Sequence, residues 1–282
     1  MFLFLFNAFV FVFECSRLLI NISFAFFEFF VSCVWKASRK SVEHEIVLIT
    51  GAGSGIGKQL SIEFARLGAI LVLWDINKEK CEQTAAEIKR NGGVCYCYTV
   101  DVSIFDEVEQ TSLKVRQGIG DVYLLINNAA VFNCATLLNL SPRDIKKAIN
   151  TNLMSHFWTT KCFLPQMIKR GKGHIVAISS NMGLYGRCYL TDYSATKFGI
   201  NGFMEALDDE LRVKQKNDIF LTTVCPSAID TGLSTPRETR FPKLLPVMTV
   251  EYACKVIVDG ILRDKRSIIF PTGFKLYYYI LR

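Results

Sequence analysis

Tyr193 and Lys197 stand four residues apart in Tyr193-Ser194-Ala195-Thr196-Lys197, at the start of a helix-compatible run ending near Leu211. Residues at i and i+4 share one helix face, so phenol and ammonium can point into one cleft. A free Tyr has a pKa of about 10 and is a poor base at neutral pH, but a cation fixed beside it favours the phenolate. The pair could then exchange protons near physiological pH. Alone, the pentapeptide equally describes an amphipathic helix with an exposed Lys. Ser180 ends an apolar run upstream, at a separation that lets a loop fold back so that hydroxyl and phenol address one substrate oxygen.

A second set of residues suits a dinucleotide. The apolar run 45–50 reads as a strand buried on both faces, and Gly51-Ala52-Gly53-Ser54-Gly55-Ile56-Gly57 follows it directly and opens a helical pattern to about Leu67. Glycines let the backbone turn tightly and approach a pyrophosphate, whose charge meets the helix N-terminus. The next apolar run, 70–74, ends in Asp75. A carboxylate there can accept hydrogen bonds from both adenosine ribose hydroxyls and repels a 2′-phosphate, so NAD is expected over NADP. Lys78 and Lys80 nearby could soften that preference, and a merely solvated Asp at a strand end is the plainer alternative.

Stepping outward, these groups need a scaffold, and strand and helix patterns alternate from residue 45 onward: a helix 78–91, a strand 94–100, a helix to about 118 and a strand 122–126. That alternation predicts an α/β doubly wound parallel sheet, the Rossmann fold, with right-handed crossovers. Asp101 and Val102 would flank the adenine, and Asn127-Asn128-Ala129-Ala130 close the fourth strand at the ligand-bearing edge. One of the two Asn residues is expected to be structural. A long helix over 141–161 contains Asn150, Asn152, His156 and Trp158, and two Asn in one turn suggest a bulge or a bound water. The fifth strand covers 173–180, with His174 a strand-start residue and not a catalyst. After a strand at 219–225 come Pro226-Ser227-Ala228-Ile229-Asp230-Thr231-Gly232 and an irregular stretch, 232–248, expected to be a binding lid.

The chain has 282 residues, 50% hydrophobic and 21% charged, enough for one large α/β domain plus an appendage. Its net charge of +7 is scattered, so no nucleic-acid partner is expected. Lys36, Arg39 and Lys40 form the one small basic cluster, which fits a membrane surface. The 10 Cys show no zinc-ligand or redox spacing, so most read as buried free thiols in a reducing compartment, and no metal site is expected. Residues 1–35 are apolar and aromatic, interrupted by Glu14, Arg17 and Glu28. A monotopic or hairpin anchor fits them as well as a single span does, since spanning takes about 20 apolar residues. A cleaved signal peptide lacks its positive n-region here. The basic cluster then places the following domain on the cytosolic side, at the endoplasmic reticulum membrane or a lipid droplet. The expected organisation is an anchor over 1–40, a dinucleotide-binding domain over 41–272 and an aromatic tail over 273–282.

Taken together, Thr50 with the glycine turn, Asp75, Asn127-Asn128-Ala129, Asn152, Ser180, Tyr193 and Lys197 closely resemble the short-chain dehydrogenase/reductase family over roughly 45–271. Leu73-Trp74-Asp75-Ile76-Asn77, His156-Phe157-Trp158-Thr159-Thr160-Lys161 and the apolar N-terminus resemble the branch with the epidermal retinol dehydrogenases and the lipid-droplet 17β-hydroxysteroid dehydrogenases. The resemblance implies an oxidoreductase acting on a hydrophobic alcohol, ketone or aldehyde, with Tyr193 as general acid/base and Lys197 lowering its pKa. Ser180 would orient the reacting oxygen, and Asn152 would hold a relay water. Cofactor contacts would fall on Gly51, Ser54, Gly55, Ile56, Gly57, Asp75, Asp101, Val102, Asn128, Ala129, Tyr193, Lys197, Pro226, Ile229 and Thr231. A homodimer through the long helices is typical of the family.

Three departures accompany the resemblance. Ala130 and Ser227 stand where the family usually has Gly, which implies altered cofactor affinity at most. Members of that branch also generally continue beyond the position of Arg282, so the aromatic stretch 274–280 could be a membrane-contacting piece, a dimer element or a truncated end. The rival functions are a dehydrogenase of another lipid alcohol or carbonyl compound, and a lipid-droplet structural protein with a vestigial site. The four intact residues argue against the second.

Overall fold

The computed structural model describes residues 2–34, 37–214, 218–232 and 247–271. Most of the expected lid and the whole aromatic stretch 274–280 lie outside the described residues. The chain divides into two compact units, Met1–Ser38 with Ile269–Arg282, and Arg39–Ile268.

In the first unit, Phe2–Val34 form one uninterrupted helix, α1. A hairpin needs a break that this helix lacks. Leu5–Phe24, 20 residues of mean hydropathy 1.6 with 0% buried, is by length and composition able to cross a membrane; a signal sequence passes the same test. Glu14 and Arg17 fall inside that stretch as an i,i+3 pair 3.8 Å apart.

The second unit follows from alternating period. Short β-branched runs form strands, and segments with apolar residues three and four apart form the helices between them. Along the chain these are β1 (Ile46–Thr50), α2 (Gly55–Arg66), β2 (Ile70–Asp75), α3 (Lys78–Arg90), β3 (Val94–Thr99), α4 (Phe105–Gly118) and β4 (Leu124–Asn127). There follow α5 (Pro142–Ala148), α6 (Ser155–Arg170), β5 (Lys172–Ile178), α7 (Thr191–Lys214), β6 (Asp218–Pro226), α8 (Val250–Leu262) and β7 (Ser267–Phe270). The seven-stranded sheet runs β3-β2-β1-β4-β5-β6-β7, with β1 to β6 paired in parallel. This is the doubly wound order, and it reverses between β1 and β4, where a ligand crevice opens. Helices α2, α3 and α8 pack on one face, and α4 with α6 on the other. Leu48, Val72, Trp74, Leu125 and Ile175 meet Phe163 and Met167 of α6 and Ile200 and Met204 of α7 in the core. The Trp74 and Phe163 rings lie 5.6 Å apart.

Several elements differ from the expectations. Residues 141–161 are not one helix: α5 gives way to a π-helical turn, Ile149–Met154, before α6 begins. The wide turn sits at Asn150 and Asn152, where the sequence suggests a bulge. Sequence reading passed over α8 and β7; yet Thr249 caps α8, its hydroxyl accepting the Tyr252 N–H at 3.2 Å.

Arg39 and Lys40 also have partners other than a lipid surface. Arg39 pairs with Asp259 of α8 at 2.5 Å, and Lys40 Nζ lies 2.6 Å from both Asp264 Oδ1 and His174 Nδ1. The His174 ring continues to Thr222 at 2.8 Å, and Thr222 donates to the Lys265 carbonyl at 2.6 Å. His174, fully buried at the N-terminal end of β5, lies at the sheet edge opposite the glycine turn.

The cysteines depart from expectation in two ways. Cys81 of α3 and Cys97 of β3 are disulfide-bonded, with Cα atoms 6.3 Å apart. Among the described free thiols, Cys95, Cys225 and Cys254 are buried, but Cys134 and Cys188 are exposed.

Candidate active site

The chain leaves β1 at Thr50, whose hydroxyl accepts the N–H groups of Asn128 and Ala129 at 2.9 and 3.0 Å. The Asn128 amide donates to the Thr50 carbonyl at 2.9 Å and to the Gly51 carbonyl at 3.2 Å, so β4 is stitched to the turn. Both members of the Asn pair are structural: the buried Asn127 accepts the Thr159 hydroxyl at 2.8 Å, and the Asn128 side chain shapes the cradle. Gly51 has φ +65, and a Cβ on Gly57 would stand 2.0 Å from the Gly51 carbonyl oxygen. Only glycine permits that approach. Ser54 precedes α2 without capping it through its side chain, so the first N–H groups of α2 carry no such cap. That open N-terminus, over a backbone stripped of Cβ atoms, is the cradle a pyrophosphate needs.

Asp75 ends β2 with Oδ2 accepting the Gly53 N–H at 2.8 Å and Oδ1 accepting the Asn77 N–H at 2.8 Å. Its carboxylate thus faces the glycine turn. Thr231 stands over the same turn, since a Cβ on Gly55 would meet the Thr231 Cβ at 3.3 Å. Ile229, three residues past Pro226, bridges Met248. Ile56 is half-buried, its carbonyl accepting the Cys254 thiol at 3.7 Å. Asp101 is turned onto its own loop, accepting from the Ser103 N–H at 2.9 Å and hydroxyl at 2.7 Å, while Val102 is buried in the core.

At the other side of the crevice, Ser180 caps a short 3₁₀ turn after β5, its hydroxyl accepting the Met182 N–H at 3.1 Å. That hydroxyl donates to the Asn181 side-chain oxygen at 3.2 Å, and it lies near enough to Tyr193 to act on the phenol. Lys197, one helical turn beyond Tyr193 in α7, is 2% exposed and holds Nζ 5.4 Å from the Tyr193 ring centre. Its ammonium donates to the Ile178 carbonyl at 2.8 Å, and the Lys197 carbonyl accepts from Ser179 at 3.2 Å. Serine, phenol and ammonium therefore converge as their spacing predicts.

Their electrostatics differ from the sequence expectation. Burial pushes the Tyr193 hydroxyl up to about 12, only partly opposed by the Ser180 hydrogen bond. Burial likewise lowers Lys197 to about 8. With both groups stripped of water, the ammonium does not by itself bring the phenol toward neutrality.

Asn152 is fully buried on the π-helical turn and grips the loop after β4 from both sides. Its Oδ1 accepts the Val131 N–H at 2.8 Å, and its Nδ2 donates to the Val131 carbonyl at 2.9 Å and to Thr196 at 3.4 Å. Both amide hydrogens and one lone pair of Oδ1 are thereby committed within the protein. The loop it grips carries Phe132, whose ring meets Tyr193 edge-on at 5.0 Å. Sequence reading missed Phe132, and it gave no place in the site to His156, fully buried and held neutral, down to about 3, by burial and the Lys197 charge. Adjacency to the Asn127-Asn128-Ala129 string was the one signal for Phe132. The sequence marks His156 only by its place in the Asn-containing helix and in the branch-like string 156–161.

A model of the short chain dehydrogenase family matches residues 45–240. The chain belongs to the short-chain dehydrogenase family. Human 17-beta-hydroxysteroid dehydrogenase 13 is 39% identical over 266 residues, 94% of this chain and 88% of that protein. Mouse epidermal retinol dehydrogenase 2 is 42% identical over 245 residues, covering 86% of this chain and 78% of its own length. Among solved structures, a short chain dehydrogenase/reductase from Burkholderia phymatum in complex with NAD superposes with a TM-score of 0.76 at 23% identity. That match covers 84% of this chain and 92% of the other. A metagenomic short-chain oxidoreductase in complex with NADP gives 0.68 at 26% identity, covering 82% and 96%. Within this family's fold, the bare glycine turn, the uncapped α2 and the carboxylate at the end of β2 fit a nicotinamide dinucleotide.

Proposed function

We propose that this short-chain dehydrogenase is a membrane-associated enzyme that interconverts a hydrophobic alcohol and its carbonyl compound, with NAD as cofactor and a retinoid or steroid as substrate. The observation that carries the reading is the convergence of the Ser180 hydroxyl, the Tyr193 phenol and the buried Lys197 ammonium at the crevice edge. NAD supplies or accepts the hydride. Ser180 orients the substrate oxygen, and Tyr193 exchanges the proton with it. Lys197 keeps a positive charge beside the developing phenolate, where low polarity magnifies its effect. Asn152 and Thr196 hold the backbone that places these groups. Asp75 supports NAD over NADP because its carboxylate occupies the place where a 2′-phosphate would meet like charge.

The relatives named for retinol and 17-beta-hydroxysteroid dehydrogenases, at about 40% identity, support the substrate class. The 20-residue apolar stretch in α1 supports a membrane anchor; in this reading it sits at the endoplasmic reticulum membrane or a lipid droplet, with the catalytic unit on the cytosolic side. A structural protein with a vestigial site would have no use for a buried ammonium at this position. Exposed Phe157 of α6 and Phe198 of α7, with Ile149 on the π-helical turn before α6, support pairing of two copies through α6 and α7. A spectrophotometric screen of retinoids, steroids and fatty alcohols with NAD and NADP, on detergent-solubilised protein, tests the reading. Absence of turnover on every alcohol and ketone with both cofactors overturns it.

A further inference from the structure

The loop that leaves β4 ends at the surface in a 3₁₀ turn, Leu137–Asn139, that points two leucines at solvent. Leu138 is 94% exposed and Leu137 59%. No packing within the described residues accounts for either, and adjacent large apolar side chains at a loop tip are costly in water. Tyr189, 44% exposed, stands beside them: the Ala135 N–H donates to the Tyr189 carbonyl at 3.1 Å. Asn133 fastens the same patch to its neighbours, donating to the Asp144 carbonyl of α5 at 3.4 Å and to Asp192 at the start of α7 at 2.8 Å.

The surroundings are cationic. Arg143, Lys146 and Lys147 of α5 and Arg187 beside Tyr189 are exposed and form no ion pair among the described residues. The acidic groups of these segments are engaged elsewhere, Asp144 with Ser141 at 2.7 Å and Asp192, buried, with Asn133. An apolar tip ringed by unpaired cations matches a membrane interface, whose acyl layer takes the leucines and whose anionic headgroups take the Lys and Arg.

We propose that the Leu137–Leu138 turn and the cations Arg143, Lys146, Lys147 and Arg187 form a second lipid contact, on the catalytic unit itself, that docks the rim of the crevice on an anionic phospholipid surface. This rests on the reading of the chain as a membrane-associated dehydrogenase. The rim is continuous with the site, because the same loop carries Phe132 against Tyr193 and Val131 in the grip of Asn152. Lipid contact at the leucines therefore steadies the wall on which the phenol rests, beside the apolar phase in which the proposed substrate dissolves.

The test uses the full chain reconstituted into vesicles, carrying Leu138→Trp at a position exposed enough for the variant to fold. Vesicles contain phosphatidylserine or only phosphatidylcholine, with acyl chains brominated to quench a buried indole, and the wild type with its 3 Trp supplies the background. The expected result is added, blue-shifted emission from L138W that brominated lipid quenches. Quenching should weaken severalfold in phosphatidylcholine alone, or when Arg143, Lys146 and Lys147 are all changed to Glu, since each cation near an anionic surface adds about fivefold to partitioning. Flotation of the chain with vesicles but no quenching of L138W overturns the rim contact and leaves the anchor standing. Shielding from aqueous iodide without acyl-chain quenching means a second copy covers the rim, and also overturns it. Failure to float at all overturns both rim and anchor, whereas turnover in detergent reports on the dehydrogenase reading independently.

Discussion

Asp75 Oδ2 accepts the Gly53 N–H at 2.8 Å, so the residue that ends β2 is locked over the residue that opens the cofactor cradle. In the proposed reading the ribose hydroxyls of NAD meet this carboxylate. Charge-assisted hydrogen bonds of this kind contribute about 1.5–3 kcal/mol each. Asp75→Ser is expected to raise the KM for NAD by at least about tenfold while lowering that for NADP. Steady-state kinetics with both cofactors decide it; an unchanged ratio removes Asp75 from the selection.

Tyr193→Phe removes one oxygen, and with it the Ser180 interaction, from a site whose ring contacts to Phe132 and Lys197 persist. General acid/base catalysis contributes about 10²–10⁴-fold, and kcat is expected to fall by at least that much. The thermal shift on adding NAD should survive. A variant that turns over at the wild-type rate ends the role given to Tyr193.

Lys197 is held down at about 8 by burial, against 10.5 when hydrated. The folded pKa is the lower one, so between those two values the unfolded chain binds more protons than the folded one. Stability from this residue therefore rises with pH from about 8 to 10.5, and below 8 the cost of burying the charge is felt in full. Tyr193, raised to about 12, adds no opposing slope until pH exceeds about 10. Lys197→Met is expected to abolish turnover and flatten the pH dependence of urea unfolding between about pH 8 and 10. A slope identical to wild type would contradict the assignment.

Lys40 joins Asp264 and His174 at the sheet edge away from the crevice. Lys40→Met leaves a carboxylate and a buried imidazole without their partner, at a cost of about 1–3 kcal/mol. The melting temperature should fall by several degrees, with kcat unchanged. Calorimetry beside an activity assay separates the two effects; loss of kcat at unaltered stability is the contrary outcome.

Gly57→Ala places a methyl group 2.0 Å from the Gly51 carbonyl oxygen, nearer than real Cβ atoms come. The turn must shift, and NAD affinity should drop by at least about tenfold even where the chain still folds. Fluorescence titration with the reduced cofactor measures it.

Those elements were legible whose signal is local. Strand β1, the glycine turn and α2 follow each other within one short stretch, and period alone separates strand from helix there. Tyr193 and Lys197 share a helix face by spacing, and the two Asn residues announced the π-helical turn because amides disturb a regular helix. Helix α8 carried a Thr cap and an amphipathic pattern as well, but it follows a stretch without periodicity, where boundaries are hardest to read.

By itself the sequence determined the doubly wound alternation, the glycine cradle, Asp75 at a strand end, and the helix face that Tyr193 and Lys197 share. Only the tertiary structure decided who meets whom across long separations. It gave Arg39 and Lys40 to Asp259 and Asp264, joined Cys81 to Cys97, committed the Asn152 amide to Val131, and set Leu138 on the rim. It also decided the protonation of the site, since Tyr193 and Lys197 are displaced mainly by lost hydration. Periodicity and spacing encode neighbours along the chain. Burial and distant partners exist only after the chain has closed on itself.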